Sequence, residues 1–188
     1  MKKIKYDNYY WQNDLVRLRA MKPEDWEEHY YNLFDSKARR LLQYELELPP
    51  TVEGAKAMTE KFANFDPESG RLMFTIKSLD GEVVGALNIS GINEKNGTFG
   101  IGIQVDRDHR GQGYGTAAMK LLLNYAFNER RLNKFNVSVL EGNIASATMM
   151  KKLGCVQEGV RRKNIFTDGE YKDEILFGLT RDEFNENN

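Results

Sequence analysis

Seven consecutive residues, Arg110-Gly111-Gln112-Gly113-Tyr114-Gly115-Thr116, carry the clearest chemistry in this sequence. Glycines let a bound group approach the main chain. Successive N–H groups at a helix start, together with the positive end of its dipole, favour an anion such as a phosphate. The pattern is not a Walker loop, which needs Gly, four residues, then Gly-Lys-Ser/Thr. Nor is it the dinucleotide fingerprint, because the residue three after Gly113 is Thr116 and not Gly. A loop whose glycines serve only a tight turn would carry the same residues.

Two elements must hold this loop. Before it, Phe99, Ile101, Ile103 and Val105 alternate with Gly100, Gly102 and Gln104, the period of a strand with one apolar face. After it, Tyr114, Ala118, Leu121, Leu122, Tyr125 and Ala126 recur every three or four residues, the period of an amphipathic helix.

The rest of the chain supplies more of the same kinds of element. Leu15 to Arg19 alternates as a first strand, and Pro23 opens a helix running to about Phe34. After Pro49-Pro50, Thr51 is placed to cap a second helix whose Ala55, Met58, Phe62 and Phe65 share a face, with Pro67-Glu68-Ser69-Gly70 as its end. Leu72 to Ile76 and Val83 to Ile89 flank the hairpin turn Asp80-Gly81, and a second turn at Asn96-Gly97 leads into the strand ahead of the glycine loop. The helix after the loop returns to Phe135–Val139, which predicts a parallel pairing by a right-handed crossover. Asn143 then caps a short helix that Gly154 stops, and Val156 to Ile165 and Tyr171 to Leu179 flank the turn Thr167-Asp168-Gly169. The predicted fold is α/β, with a mixed, mostly antiparallel sheet of about seven strands and about four helices. It forms a single domain over residues 1–188, with a core from about 13 to 180 and frayed ends.

Arg110, Gly113 and Gly115, placed between such a strand and such a helix, resemble the coenzyme A pyrophosphate loop of the GNAT superfamily of acyl-CoA N-acyltransferases. Asn143-x-x-Ser146 followed by Leu153-Gly154 is similar to the family's second coenzyme segment. Arg161 with Asp168-Gly169-Glu170-Tyr171-Lys172-Asp173 is similar to the closing hairpin of its ribosomal-protein N-terminal and spermidine N-acetyltransferases. The resemblance implies acetyl-CoA as co-substrate, no metal, and a splayed pair of strands at the site. It places coenzyme contacts at Ile103, Gln104, Val105, Arg110, Gly111, Gln112, Gly113, Tyr114, Gly115, Thr116, Asn143 and Ser146. It also gives chemical roles to the Val105 N–H as oxyanion donor and to Asn143, Ser146 and Tyr171. Asn143 can equally be a plain helix cap, and the two roles can coexist.

Two family features are absent. Met150 stands where many relatives carry a proton-donating tyrosine, and a thioether cannot donate a proton. Thr98 to Val105 contains no glutamate to act as base. A non-catalytic acyl-CoA sensor therefore stands beside the expected N-acetyltransferase, whose acceptor would be a protein N-terminus, a small amine or a polyamine. An α-amine, with an ordinary pKa near ~8, needs less help to lose its proton than a lysine. Glu45, Glu47 and Glu53 lie where the family builds a wall of its acceptor groove, and an exposed charged loop would read the same way.

Composition bounds the remaining choices. A chain of 188 residues with 40% hydrophobic residues and a formal charge of −1 carries no global basic field for nucleic acid or for an anionic membrane. Cys155 is the only cysteine, which fits a reduced, cytoplasmic setting. No run approaches the length of a membrane span, and Met1 to Asp7 lacks the apolar core of a signal peptide. A homodimer is compatible with the sequence.

Overall fold

Alternation decides which side of each strand is covered by which helices. The computed structural model describes residues 4–65 and 71–187, so the expected helix end at Pro67–Gly70 lies outside the described residues. Strand β1 (Val16–Ala20) is followed by helices α1 (Trp26–Leu33), α2 (Ser36–Gln43) and α3 (Val52–Phe62). Strands β2 (Arg71–Ser78), β3 (Val83–Asn93) and β4 (Thr98–Val105) lead into α4 (Tyr114–Asn124). Then come β5 (Lys134–Leu140), α5 (Ile144–Lys152), β6 (Val156–Thr167), β7 (Glu170–Thr180) and α6 (Arg181–Glu186). The seven strands form one sheet in the order β1-β2-β3-β4-β5-β7-β6, antiparallel except between β4 and β5. This is the mixed, mostly antiparallel α/β fold that the sequence predicts. It carries six α-helices among the described residues instead of about four, because α2 and α6 add to the pattern.

One face of the sheet is apolar. Val16, Leu18, Phe74, Ile76, Val84, Leu87, Ile89, Phe99 and Ile101 are buried there with Ala118, Met119, Leu122 and Leu123 of α4. At about 25 cal/mol per Å² of apolar surface removed from water, this layer is the main favourable contribution to the fold. The opposite face, toward α1, α2 and α3, is polar. Arg19 forms a bidentate pair with Asp25 at 2.6 and 2.7 Å, and Thr75 donates to the same carboxylate at 2.8 Å.

The expected caps are present. Thr51 accepts from the Gly54 N–H at 3.0 Å, and Asn143 from the Ser146 N–H at 3.2 Å. Thr180 and Glu183 form a reciprocal capping box that starts α6, whose Phe184 is buried against Phe127 at 5.3 Å between ring centroids. Phe127 in turn meets Phe99 at 5.3 Å, and Phe99 meets Phe135 at 5.7 Å. This aromatic cluster clamps the place where β4 and β5 touch. No helix of the described residues is long and apolar enough to cross a membrane.

Candidate active site

Strands β4 and β5 pair only at Thr98–Lys134 and Phe99–Phe135, and beyond those two pairs they part to form a fork. The main chain of β4 past the last pair therefore lacks a strand partner on its β5 side. The Asp106 N–H donates to Val84 O at 3.0 Å, so alternation turns Asp106, Gln104 and Gly102 toward β3 and leaves Ile103 and Val105 facing the open side. The carbonyl of Val105 accepts from Arg110 Nε at 3.0 Å. The carbonyl of Ile103 and the N–H groups of Ile103 and Val105 are the groups of β4 aimed into the fork. The splay expected from the resemblance is thus present, and for a structural reason. Gly97 O accepts from the N–H groups of Asn133 and Lys134 at 2.7 and 3.0 Å, holding the strands together at the base alone.

The glycine loop follows directly. A 3-10 turn at Arg107–His109 carries the chain off the strand, and Gly113, with φ +87°, caps α4 in the left-handed region that glycine enters without penalty. The first intrahelical bond runs from the Ala117 N–H to Gly113 O at 3.0 Å, so the amides of Tyr114, Gly115 and Thr116 precede any helical acceptor. Gly115 serves close approach: a Cβ there would lie 3.3 Å from Val105 Cγ2 and 3.4 Å from Met149 Sδ, where α4 packs on β4 and α5. Arg110 departs from the rest of its loop. Its guanidinium turns back to Val105 O and to Asp35, 2.7 Å away, so its side chain braces the loop while residues 111 to 116 present the amides.

Across the fork, β5 ends at Leu140 and Asn143 opens α5. Its Oδ1 is committed to capping Ser146, and its Nδ2 is left to donate. Met150 on the same helix is 2% exposed and touches Cys155 Sγ at 4.0 Å through its sulfur, so the position where relatives place tyrosine belongs to the core here. Tyr171 stands at the outer end of the β6–β7 hairpin, 58% exposed, with its ring 5.1 Å from Phe166.

Helix α2 contributes Arg39 and Arg40, which sequence patterning missed, and ends at Tyr44, an aromatic that the sequence offers either to the acceptor groove or to core packing. On one bank of the fork Arg39 Nη1 donates to Gln104 Oε1 at 3.0 Å and pairs with Glu47 at 2.6 Å, while Gln104 Nε2 donates to Asn32 O at 3.4 Å. On the other bank Tyr44 Oη lies 2.9 Å from Ser138 Oγ, and Arg40 reaches Thr167 at 3.3 Å and Asp168 at 3.3 Å. The helix thus spans the fork like a strap. Glu174 on β7, 5% exposed, takes hydrogen bonds from Arg161 at 3.1 Å and from Asn164 at 2.8 Å, and against the cost of burial the neighbouring donors hold its carboxyl below the usual range. Glu47, one of the three carboxylates Glu45, Glu47 and Glu53, is paired with Arg39. The one local signal for α2 is Asp35, whose Oδ1 caps the helix through the Ala38 N–H at 3.2 Å.

A strand that parts from its parallel neighbour just before a glycine-capped helix defines the acyl-CoA acyltransferase class. The Acetyltransferase (GNAT) domain family matches residues 16–156, and the chain belongs to that family as an N-acetyltransferase. Over 177 residues it is 33% identical to the SPbeta prophage-derived uncharacterized N-acetyltransferase YokL of Bacillus subtilis (strain 168), covering 93% of this chain and 95% of the relative. It is 28% identical over 105 residues, 56% of this chain and 57% of the relative, to the putative ribosomal N-acetyltransferase YdaF of the same organism. Among solved structures, the spermidine N-acetyltransferase from Vibrio cholerae in complex with CoA and spermine superposes with a TM-score of 0.80 at 18% identity, covering 92% of this chain and 99% of that one.

Proposed function

We propose that this chain transfers an acetyl group from acetyl-CoA to a primary amine, on a protein N-terminus or on a small amine or polyamine, by direct attack within a ternary complex. The observation that carries this reading is the fork, whose unspent β4 main chain runs straight into the amides of the glycine loop. The amides of Gly111, Gln112, Gly113, Tyr114, Gly115 and Thr116 take the diphosphate, and the main chain of Ile103, Gln104 and Val105 lines the pantetheine. The Val105 N–H donates to the thioester oxygen as negative charge gathers there, a placement worth about 3 kcal/mol of barrier in comparable sites. Asn143 Nδ2 and the Ser146 hydroxyl hold the pantetheine or the incoming amine. With Met150 in the core, water held by Asn143, Ser146 or Tyr171 passes the proton that the attacking amine loses to the departing thiolate. The buried, unpaired Cys155 fits a reduced, cytoplasmic setting.

Release of free thiol from acetyl-CoA over a panel of N-terminal peptides, small amines and polyamines tests the proposal. Turnover on any of them supports it. Tight acetyl-CoA binding without turnover on any acceptor would instead make the chain a sensor of the coenzyme. Thermal stabilisation by ATP or NAD and not by coenzyme A would overturn both.

A further inference from the structure

We propose that Asn88 and Tyr44 form the acceptor notch, two neutral oxygens on either side of the fork that take the two N–H bonds of a primary amine and turn its lone pair toward the thioester. The inference rests on the acetyl-transfer reading and extends it to the residues that select the amine.

The near side is set by a glycine. Asn88 on β3 pairs in register with Gly102 on β4, and its Nδ2 donates to Gly102 O at 3.3 Å. A Cβ at residue 102 would sit 2.7 Å from that Nδ2, so the carboxamide can lie across β4 toward the fork only because residue 102 has no side chain. Its Oδ1 is buried and has no hydrogen-bond partner among the described residues. A buried acceptor without a donor is costly, and a ligand N–H removes the cost.

The far side faces it. Ser138 stands three residues past the last pair on β5, as Gly102 does on β4, and lies on the polar face that α2 crosses. Tyr44 Oη lies 2.9 Å from Ser138 Oγ, and whichever hydroxyl gives the proton, a lone pair of Tyr44 Oη is left to accept. Tyr44 adopts a left-handed backbone, φ +68°, as it ends α2, a conformation a bulky side chain takes only when its surroundings impose it. Ser138 is a positioning residue that acts through Tyr44.

Neutral acceptors have a chemical consequence. A carboxylate in this position would favour the ammonium form and oppose the loss of the proton that attack requires, whereas an amide oxygen and a phenol bind the uncharged amine without pinning its charge. The notch selects amines with two N–H bonds over N-methylated ones.

Steady-state kinetics with an accepted primary amine and its N-methyl analogue test the inference. Asn88→Ala and Tyr44→Phe should each raise the amine KM about tenfold, the effect of one lost hydrogen bond, and leave the acetyl-CoA KM unchanged. Ser138→Ala should shift the amine KM in the same direction, with Ser138→Thr restoring it. In the wild type, needing no substitution, the N-methyl analogue should be the poorer substrate. An unchanged amine KM in both Asn88→Ala and Tyr44→Phe, or equal use of the two amines by the wild type, overturns the notch while leaving acetyl transfer standing. A wild type that acetylates no amine removes the reading beneath it as well.

Discussion

Asp35 and Arg110, 75 positions apart in the chain, meet at 2.7 Å, and the same carboxylate holds Arg107 at 3.3 Å while capping α2. Because Arg110 also donates to Val105 O, one buried carboxylate ties the acceptor-side helix to the end of β4 and to the glycine loop. Asp35→Ala removes the cap and the brace together, and should cost about 1–2 kcal/mol of stability and raise the acetyl-CoA KM. Asp35→Asn keeps a capping oxygen and should recover most of the stability without recovering the KM. Chemical denaturation and acetyl-CoA kinetics on the two variants separate the roles.

Titration gives a second test. Hydrogen bonds and charge from arginine hold the carboxyls of Asp25, Asp35 and Glu174 below their ordinary values of 3.8 and 4.5, overcoming the burial that opposes ionisation. Groups depressed in the fold contribute stability that is present above those ordinary values and is lost as pH falls through the lower folded ones. Asp106 runs the other way. Burial and the nearby Glu28 charge hold its carboxyl above 3.8 despite a 2.7 Å bond from Asn32, so its contribution is lost as pH rises through the folded value. Asp106→Asn, which keeps the acceptor oxygen and drops the charge, should raise the melting temperature at pH 7 and not at pH 3. A calorimetric pH series reads both.

Gly113 has φ +87° and Gly91 φ +61°, and nothing lies within 4 Å of a Cβ at Gly91. Alanine at either should cost about 1–2 kcal/mol of backbone strain. Only Gly113→Ala should weaken coenzyme A binding, and Gly113→Glu should abolish it by adding bulk and like charge at the diphosphate. Isothermal titration with coenzyme A compares the three.

Cys155 is 8% exposed, and burial pushes its thiol up to about 12. A buried thiol held in its protonated form is a poor nucleophile, which argues against an acyl-cysteine route. The native protein at pH 8 should resist a thiol-specific reagent until denatured, and Cys155→Ala should turn over as the wild type does.

The seven strands and the glycine loop were legible because each has a local cause: alternation in Phe99 to Val105, a glycine-capped apolar helix from Tyr114, and turn residues at Asp80-Gly81 and Asp168-Gly169. Helix α2 was not. Its sequence from Ser36 to Gln43 buries no residue, and its place is set by Arg39 on Gln104, 65 positions away, and Arg40 on Thr167, 127 away. No period in a window of eight residues encodes such partners. Helix α6 was readable from the Thr180-x-x-Glu183 capping box but is too short to show a period. The second role of Arg110 was hidden for the same reason as α2, since motif spacing fixes where a residue stands and not which way its guanidinium turns.

A diphosphate gripped by peptide amides is recognised by atoms that every amino acid except proline possesses. On the proposed reading, drift in side chains around the loop proceeds a long way without cost to the coenzyme; the overall fold itself is shared at 18% identity with the spermidine N-acetyltransferase from Vibrio cholerae. The proposed acceptor notch, with Asn88 on one side of the fork and Tyr44 and Ser138 on the other, enjoys no such tolerance. New acceptors are expected to arise by replacement there, while the donor half stays as it is.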